Sequence, residues 1–164
     1  EDIKRILITH FHFDHSGSAV ELRKLTGASI IAHKNEVTTD EDGQILLRKG
    51  EESEPPPYWY RMALRLTGLG GRGTNRPHTK LHETPVQETV EHGDIIPCLG
   101  GINIIHSPGH TPGSISPLVN DPKILFLGDS VINNIDRLSR PLMWDRSKRR
   151  RLDKSLQELL KVIY

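Results

Sequence analysis

The segment Thr9-His10-Phe11-His12-Phe13-Asp14-His15-Ser16 places four metal-type ligands within six residues. Imidazole nitrogen and carboxylate oxygen are donors that zinc, iron and manganese all accept. In an extended segment His10 and His12 project to one side, so two imidazoles can grip one ion. Once the chain turns, Asp14 and His15 are presented together toward a second ion. A histidine tag is an uninterrupted run, whereas these are spaced ligands behind an apolar strand. Two later segments supply what a dinuclear site still lacks. His106-Ser107-Pro108-Gly109-His110-Thr111-Pro112-Gly113-Ser114 is dense in turn residues, and Leu125-Phe126-Leu127-Gly128-Asp129-Ser130 ends an apolar run on a carboxylate. Gly-Asp is a common turn and a single histidine is ordinarily satisfied by hydrogen bonds, so neither segment speaks alone. Beside the first motif, and at strand ends like it, they do.

Such residues need rigid supports, and the sequence provides apolar strands that stop where each candidate begins. Residues 3–9 read as a strand, rich in β-branched residues, ending at His10. Val20, Leu22 and Leu25 among charged residues predict a short helix from Gly17 to Leu25, stopped by Gly27. Ser29 to Ala32 is a second strand, ending at His33. Strand, polar loop, helix, strand is the βαβ rhythm of an α/β fold. Regular structure returns at Asp94. Ile95-Ile96-Pro97 and Ile102-Asn103-Ile104-Ile105 flank Gly100-Gly101 as a hairpin, and Ile115–Val119 with Lys123–Leu127 read as another, joined at Asn120-Asp121. Pro117 removes a ladder donor, which predicts a strand that is at an edge, bulged or broken. Asp145 can cap a last helix with Leu152, Leu156, Leu159, Leu160 and Ile163 along one face.

Between these halves, residues 38–93 read as a variable excursion over the active-site face. Glu51-Glu52-Ser53-Glu54-Pro55-Pro56-Pro57 is an exposed, extended linker. Trp59, Met62, Ala63 and Leu66 then fall at i, i+3, i+4 and i+7, one face of a short helix that Gly68-Leu69-Gly70-Gly71 ends. With no internal repeat, residues 1–164 are expected to form a single domain. The balance of 22 Lys+Arg against 21 Asp+Glu leaves +1, so no global field recruits nucleic acid or an anionic membrane. No apolar run approaches the roughly 20 residues that span a bilayer. One cysteine, Cys98, excludes a disulfide framework and a cysteine-rich zinc module, and points to a reducing, cytoplasmic setting.

In order along nearly the whole chain, H-x-H-x-D-H, a variable middle, P-G-H-T-P-G-S and an apolar strand ending in G-D resemble the metallo-β-lactamase superfamily. They are most similar to its glyoxalase-II-like thioesterase branch. The resemblance implies a four-layer αββα sandwich with ligands on loops along one edge of two packed sheets. It implies that His10, His12 and His110 bind a first metal, that Asp14 and His15 bind a second, and that Asp129 bridges them. It also implies two Zn2+ per complete domain, with Fe or Mn as substitutes, and a small-molecule acyl substrate. A metal-bound hydroxide would attack a thioester, ester or lactone carbonyl while Asp14, the catalytic carboxylate, orients it. Thr9, Ser16 and Thr111 stand near enough in sequence to partner the histidines' second nitrogens.

The pattern departs from the family at both ends. Only eight residues precede the motif, and no histidine follows His110, whereas the family usually adds leading strands and a last histidine after the final helix. The expectation is a fragment, incomplete at both ends, whose first metal site is better furnished than its second.

The remaining features have plainer readings. His33 ends a strand near the site and is a candidate to line a cleft, although a hydrogen-bonded strand-end role suits it better. His78 and His82 read as exposed loop residues, and His106 as a structural neighbour of the site. Tyr58 and Trp59 either anchor the excursion or wall a substrate cleft. Arg146, Lys148, Arg149, Arg150, Arg151 and Lys154 would suit a phosphodiesterase of the same superfamily, but the last helix has its apolar face without them, so they read as its solvated side. The alternatives to an acyl hydrolase are therefore that phosphodiesterase or a non-catalytic metal-binding module.

Overall fold

β1 (Arg5–Leu7) leads through α1 (Phe13–Ser16) and α2 (Ala19–Thr26) into β2 (Ser29–His33), which lies parallel to β1 with Ile6 opposite Ile30. This is the expected βαβ unit. The computed structural model describes residues 3–48, 58–66, 83–133, 137–141, 143 and 145–163. α2 stops at Gly27, whose φ of 72° is left-handed and whose N–H donates to Arg23 O at 2.8 Å. β3 (Val37–Thr39) and β4 (Ile45–Leu47) form a hairpin, α3 (Tyr58–Leu66) follows, and β5 (Glu88–Val90) runs parallel to β2. The first sheet is thus ordered β1-β2-β5.

Parallel strands are stable when both faces are covered, and β2 shows how. Ile30 and Ala32 enter one core with Ile8, Phe11, Ala19, Leu47 and Val86. Ile31, pointing the other way, enters a second with Val90, Ile96, Ile104 and Ile115. The second core belongs equally to an antiparallel sheet of β6 (Ile95–Ile96), β7 (Ile102–His106), β8 (Ile115–Val119) and β9 (Ile124–Leu125), in that order. β6 and β7 turn through Leu99, Gly100 and Gly101, all at positive φ. β10 (Ile132–Asn133) and β11 (Leu138–Ser139) make a small separate pair, and α4 (Arg146–Ile163) closes the chain. Asp145 caps α4 as expected, its Oδ1 accepting from Ser147 N–H at 2.6 Å and Lys148 N–H at 3.3 Å. Val162 of α4 shares a hollow with Leu118, Lys123 and Leu125 on the outer face of the antiparallel sheet. With Ala19 of α2 in the first core, the layers run α, β, β, α: the sandwich expected from the sequence.

Three details differ from expectation. β8 is an interior strand, flanked by β7 and β9, despite Pro117. The carbonyl of Pro117 accepts from Phe126 N–H at 2.9 Å, so the proline nitrogen faces the same side. The missing donor falls where Phe126 would need it, and β9 ends at Leu125. Leu160 is exposed because the inward seam of α4 is narrow, with Leu152, Ser155 and Leu159 buried. Within residues 38–93, both ends join the core: Leu46, Leu47, Val86 and Val90 are buried, and β5 completes the parallel sheet. The proline-rich linker, the glycine-rich stretch, His78 and His82 lie outside the described residues.

At one end of the sandwich His33 and His106 tie the sheets together, their rings stacked 9° from parallel with centroids 4.1 Å apart. Burial first, then the neighbouring His106, lowers the His33 pKa to about 4. Between pH 6.5 and about 4 the unfolded chain therefore takes up a proton that the folded chain refuses. Stability should fall as pH drops through that window, by at most about 1.4 kcal/mol per pH unit from this group. Urea midpoints measured against pH should show a shallower slope there for His33→Phe. Ile104→Ala, which empties the centre of the inter-sheet core, should cost about 2–5 kcal/mol in the same assay at neutral pH.

Candidate metal centre

Three strand ends deliver the candidate residues. After β1, Ile115 N–H donates to Thr9 O at 3.0 Å and fixes the start of the histidine motif against β8. Ser16 Oγ then donates to both Phe11 O and His12 O at 3.0 Å, and α1 turns the chain so that the His15 ring lies 4.1 Å from that of His10. His110 sits in a loop closed by Ser107 N–H to Ser114 O at 2.8 Å and Gly109 N–H to Thr111 O at 3.1 Å. That loop rests on α4, where Ser155 Oγ donates to Pro108 O at 2.8 Å. Asp129 occupies the middle of a 3-10 turn, Gly128–Ser130, after β9.

These loops bring together all six residues expected to bind metal. Ligand atoms of His10, His12, His110 and Asp129 lie within 4.8 Å of one another, as do those of Asp14, His15 and Asp129. Asp129 belongs to both groups and divides its oxygens between them. Oδ2 lies 3.2 Å from His110 Nε2 and 3.9 Å from His10 Nε2, while Oδ1 lies 3.1 Å from His15 Nε2. His110 Nε2 is 2.9 Å from His12 Nδ1, and His15 Nε2 is 3.7 Å from Asp14 Oδ2. Donors around a tetrahedral ion with bonds of about 2.0 Å stand about 3.3 Å apart, so the spacing suits divalent ions.

The electrostatics agree. His10 is only 1% exposed, and its Nε2 is buried without a hydrogen-bond partner among the described residues. Its Nδ1 lies 3.2 Å from Thr9 Oγ1, so a proton donated there leaves the Nε2 lone pair facing the cluster. Burial, then repulsion from His15, His110 and His12, lowers the His10 pKa to about 3. Burial also lowers His12 and His110, against the raising pull of Asp129 and Asp14. Neutral imidazole is the form that binds metal. A buried nitrogen aimed at other donors, with no hydrogen bond of its own among the described residues, has the chemistry that could hold a metal ion.

The other candidates separate. His33 is 2% exposed, with Nδ1 accepting from Asn35 N–H at 3.1 Å and its ring against His106. Its contacts are those of the hydrogen-bonded strand-end role. His106 Nε2 lies 3.0 Å from Pro112 O, outside the metal-type groups. Tyr58 and Trp59 are exposed on α3, at 75% and 64%. Arg146, Arg150, Arg151 and Lys154 are exposed along α4, the solvated side expected of them. Of the three candidate supports, only Thr9 touches an imidazole. Ser16 holds backbone, and Thr111 Oγ1 donates instead to Glu36 Oε1 at 2.8 Å.

Glu36 is the residue that sequence reasoning passed over. It is fully buried, and burial pushes its carboxyl pKa up against three hydrogen bonds that pull it down. In sequence it is one acid following Lys34 and Asn35 after a strand, and nothing local marks it as buried.

The metallo-beta-lactamase superfamily model matches residues 1–163. The chain belongs to that superfamily. It is 31% identical over 133 residues to a probable metallo-hydrolase, YflN, of Bacillus subtilis, covering 79% of this chain and 45% of that protein. It is 31% identical over 130 residues to the hydroxyacylglutathione hydrolase GloC of Haemophilus influenzae, covering 78% of this chain and 50% of that one. The chain thus spans about half the length of the curated relatives it matches. Among solved structures, TTHA1623 in a di-iron-bound form superposes with a TM-score of 0.53 at 21% identity, covering 96% of this chain and 63% of that one. That likeness is one of fold. No helix among the described residues is long and apolar enough to cross a membrane.

The superfamily's P-G-H-T-P-G-S loop leaves no room at Gly109. Its φ is 147°, and an added Cβ would stand 2.5 Å from both Leu152 Cβ and Leu152 N. Gly109→Ala should therefore lift the His110 loop off α4. We expect a loss of about 1–3 kcal/mol in urea denaturation.

Proposed function

We propose that this chain carries the metal centre of a hydrolase that cleaves a small thioester, ester or lactone. The observation that carries the reading is Asp129, whose two oxygens face different groups of candidate ligands: Oδ2 toward His10 and His110, Oδ1 toward His15. His10, His12 and His110 would hold one ion, Asp14 and His15 a second, and Asp129 both. Zinc is the proposed metal, and iron or manganese suits the same donors. When bound, such a pair supplies a water acidified toward neutral pH and a Lewis acid for the carbonyl oxygen.

The protein's own groups do the rest. Asp14 is 77% exposed, so its carboxylate can accept a hydrogen bond from the attacking water and orient a lone pair toward the carbonyl carbon. The low pKa values of His10, His12 and His110 keep these residues neutral and ready to bind at physiological pH. Tyr58 and Trp59 are proposed to offer apolar surface to the acyl group, an idea that their exposure supports. The named activity of GloC, with the absence of a net basic field, favours an acyl substrate over a nucleic acid. Residues 1–164 are proposed to act as a single unit, with the middle of 38–93 setting substrate choice.

The test uses the full-length protein on acyl-glutathione, acyl-coenzyme A, lactone and phosphodiester panels, before and after metal removal. Thioester or lactone turnover should vanish with chelator and return with zinc, and Asp14→Ala should lower kcat at least about 100-fold. Turnover that survives metal removal, or that is confined to phosphodiesters, would overturn the reading.

A further inference from the structure

Glu36 lies outside the metal-type groups, yet it touches both loops that supply the histidines of the first of them. Its Oε2 accepts from Phe11 N–H at 2.7 Å, and Phe11 is the residue between His10 and His12. Its Oε1 accepts from Thr111 Oγ1 at 2.8 Å and from Gly113 N–H at 2.5 Å, on the loop of His110. Ser114 Oγ, 2.7 Å from Thr111 Oγ1, accepts from Thr111 N–H at 3.0 Å and steadies the same turn. Contact with Gly113 is so close that an added Cβ there would stand 2.7 Å from Glu36 Cγ and 2.8 Å from Oε1.

A fully buried carboxylate gives up its hydration, a penalty that an apolar side chain of similar volume would not carry. The return is geometric. Charge-assisted bonds are short and directional, and two oxygens on one rigid plane fix the separation of whatever they hold. Here they hold the Phe11 amide on one side and the Thr111–Gly113 turn on the other. Glu36 thus bridges the segment of His10 and His12 and the loop of His110, although these residues are far apart in sequence.

We propose that Glu36 is a positioning residue for the metal centre, its carboxylate joining the His10–His12 loop to the His110 loop at the separation one ion requires. The inference rests on the proposed function only in that these three histidines bind metal. A glutamine keeps the volume of Glu36 but must turn an NH2 group toward Phe11 N–H or toward the Thr111–Gly113 donors. Thr111→Val removes one donor and leaves the carboxylate in place.

The experiment measures cobalt(II) and zinc affinity by competition with a chromophoric chelator, the cobalt absorption spectrum, and the Tm of metal-free protein. It is run on the full chain as wild type, Glu36→Gln, Thr111→Val and a core control, Ile104→Val. We expect Glu36→Gln to weaken the first ion about 10–100-fold and to shift the cobalt bands. Thr111→Val should act in the same direction by a smaller factor. Ile104→Val should lower Tm with affinity and spectrum unchanged, which separates positioning from general stability. Wild-type affinity and spectrum in both Glu36→Gln and Thr111→Val would overturn the inference, whatever happens to Tm. If Glu36→Gln does not fold, an unchanged Thr111→Val overturns it alone. Wild type that binds neither metal would refute the proposed function itself, an outcome distinct from variants that bind normally.

Discussion

Four imidazoles crowd around Asp129, with His10, His12 and His110 set edge to face, and positive charge on more than one of those three would be mutually repulsive. The surrounding structure answers that repulsion by withholding water. His10 is sealed beneath the others with a pKa near 3, and His12 and His110 are lowered by the same burial. Neutral rings can crowd as charged ones cannot, and crowding brings their lone pairs within the radius of a single ion. The two cores brace this arrangement: one packs the strand leading into His10, the other the β7 and β8 strands on either side of the His110 loop.

Most of this could be read from residue order, because the candidate ligands are adjacent to the strands that carry them. The spacing of His10, His12, Asp14 and His15 implied two groups of donors before any geometry was known. The βαβ unit, both hairpins and the capped last helix were equally legible, since each depends on local rules of periodicity, turns and caps.

What the sequence concealed depends on partners distant in the chain. Whether Pro117 can sit in an interior strand depends on which neighbour its nitrogen faces, and that depends on where β9 ends. Leu160 fits the period of α4 but lies beyond the narrow seam that the helix buries. His33 was legible as a strand-end histidine, but not its stacking partner, because His106 arrives on β7 from far along the chain. Glu36 is the clearest case: its three donors come from Phe11, Thr111 and Gly113, and no local pattern links an acid to amides so remote.

Gly109 also links the candidate metal centre to the last helix. Because Leu152 leaves no space for even a methyl group there, the His110 loop and α4 are in hard contact. α4 has 18 residues and is about 27 Å long, with its basic side and Leu160 open to solvent. Leu152 is fully buried on that helix, so the turn that carries His110 and the helix beneath it have one packing arrangement between them, and a side chain larger than leucine at 152 would have to displace one or the other.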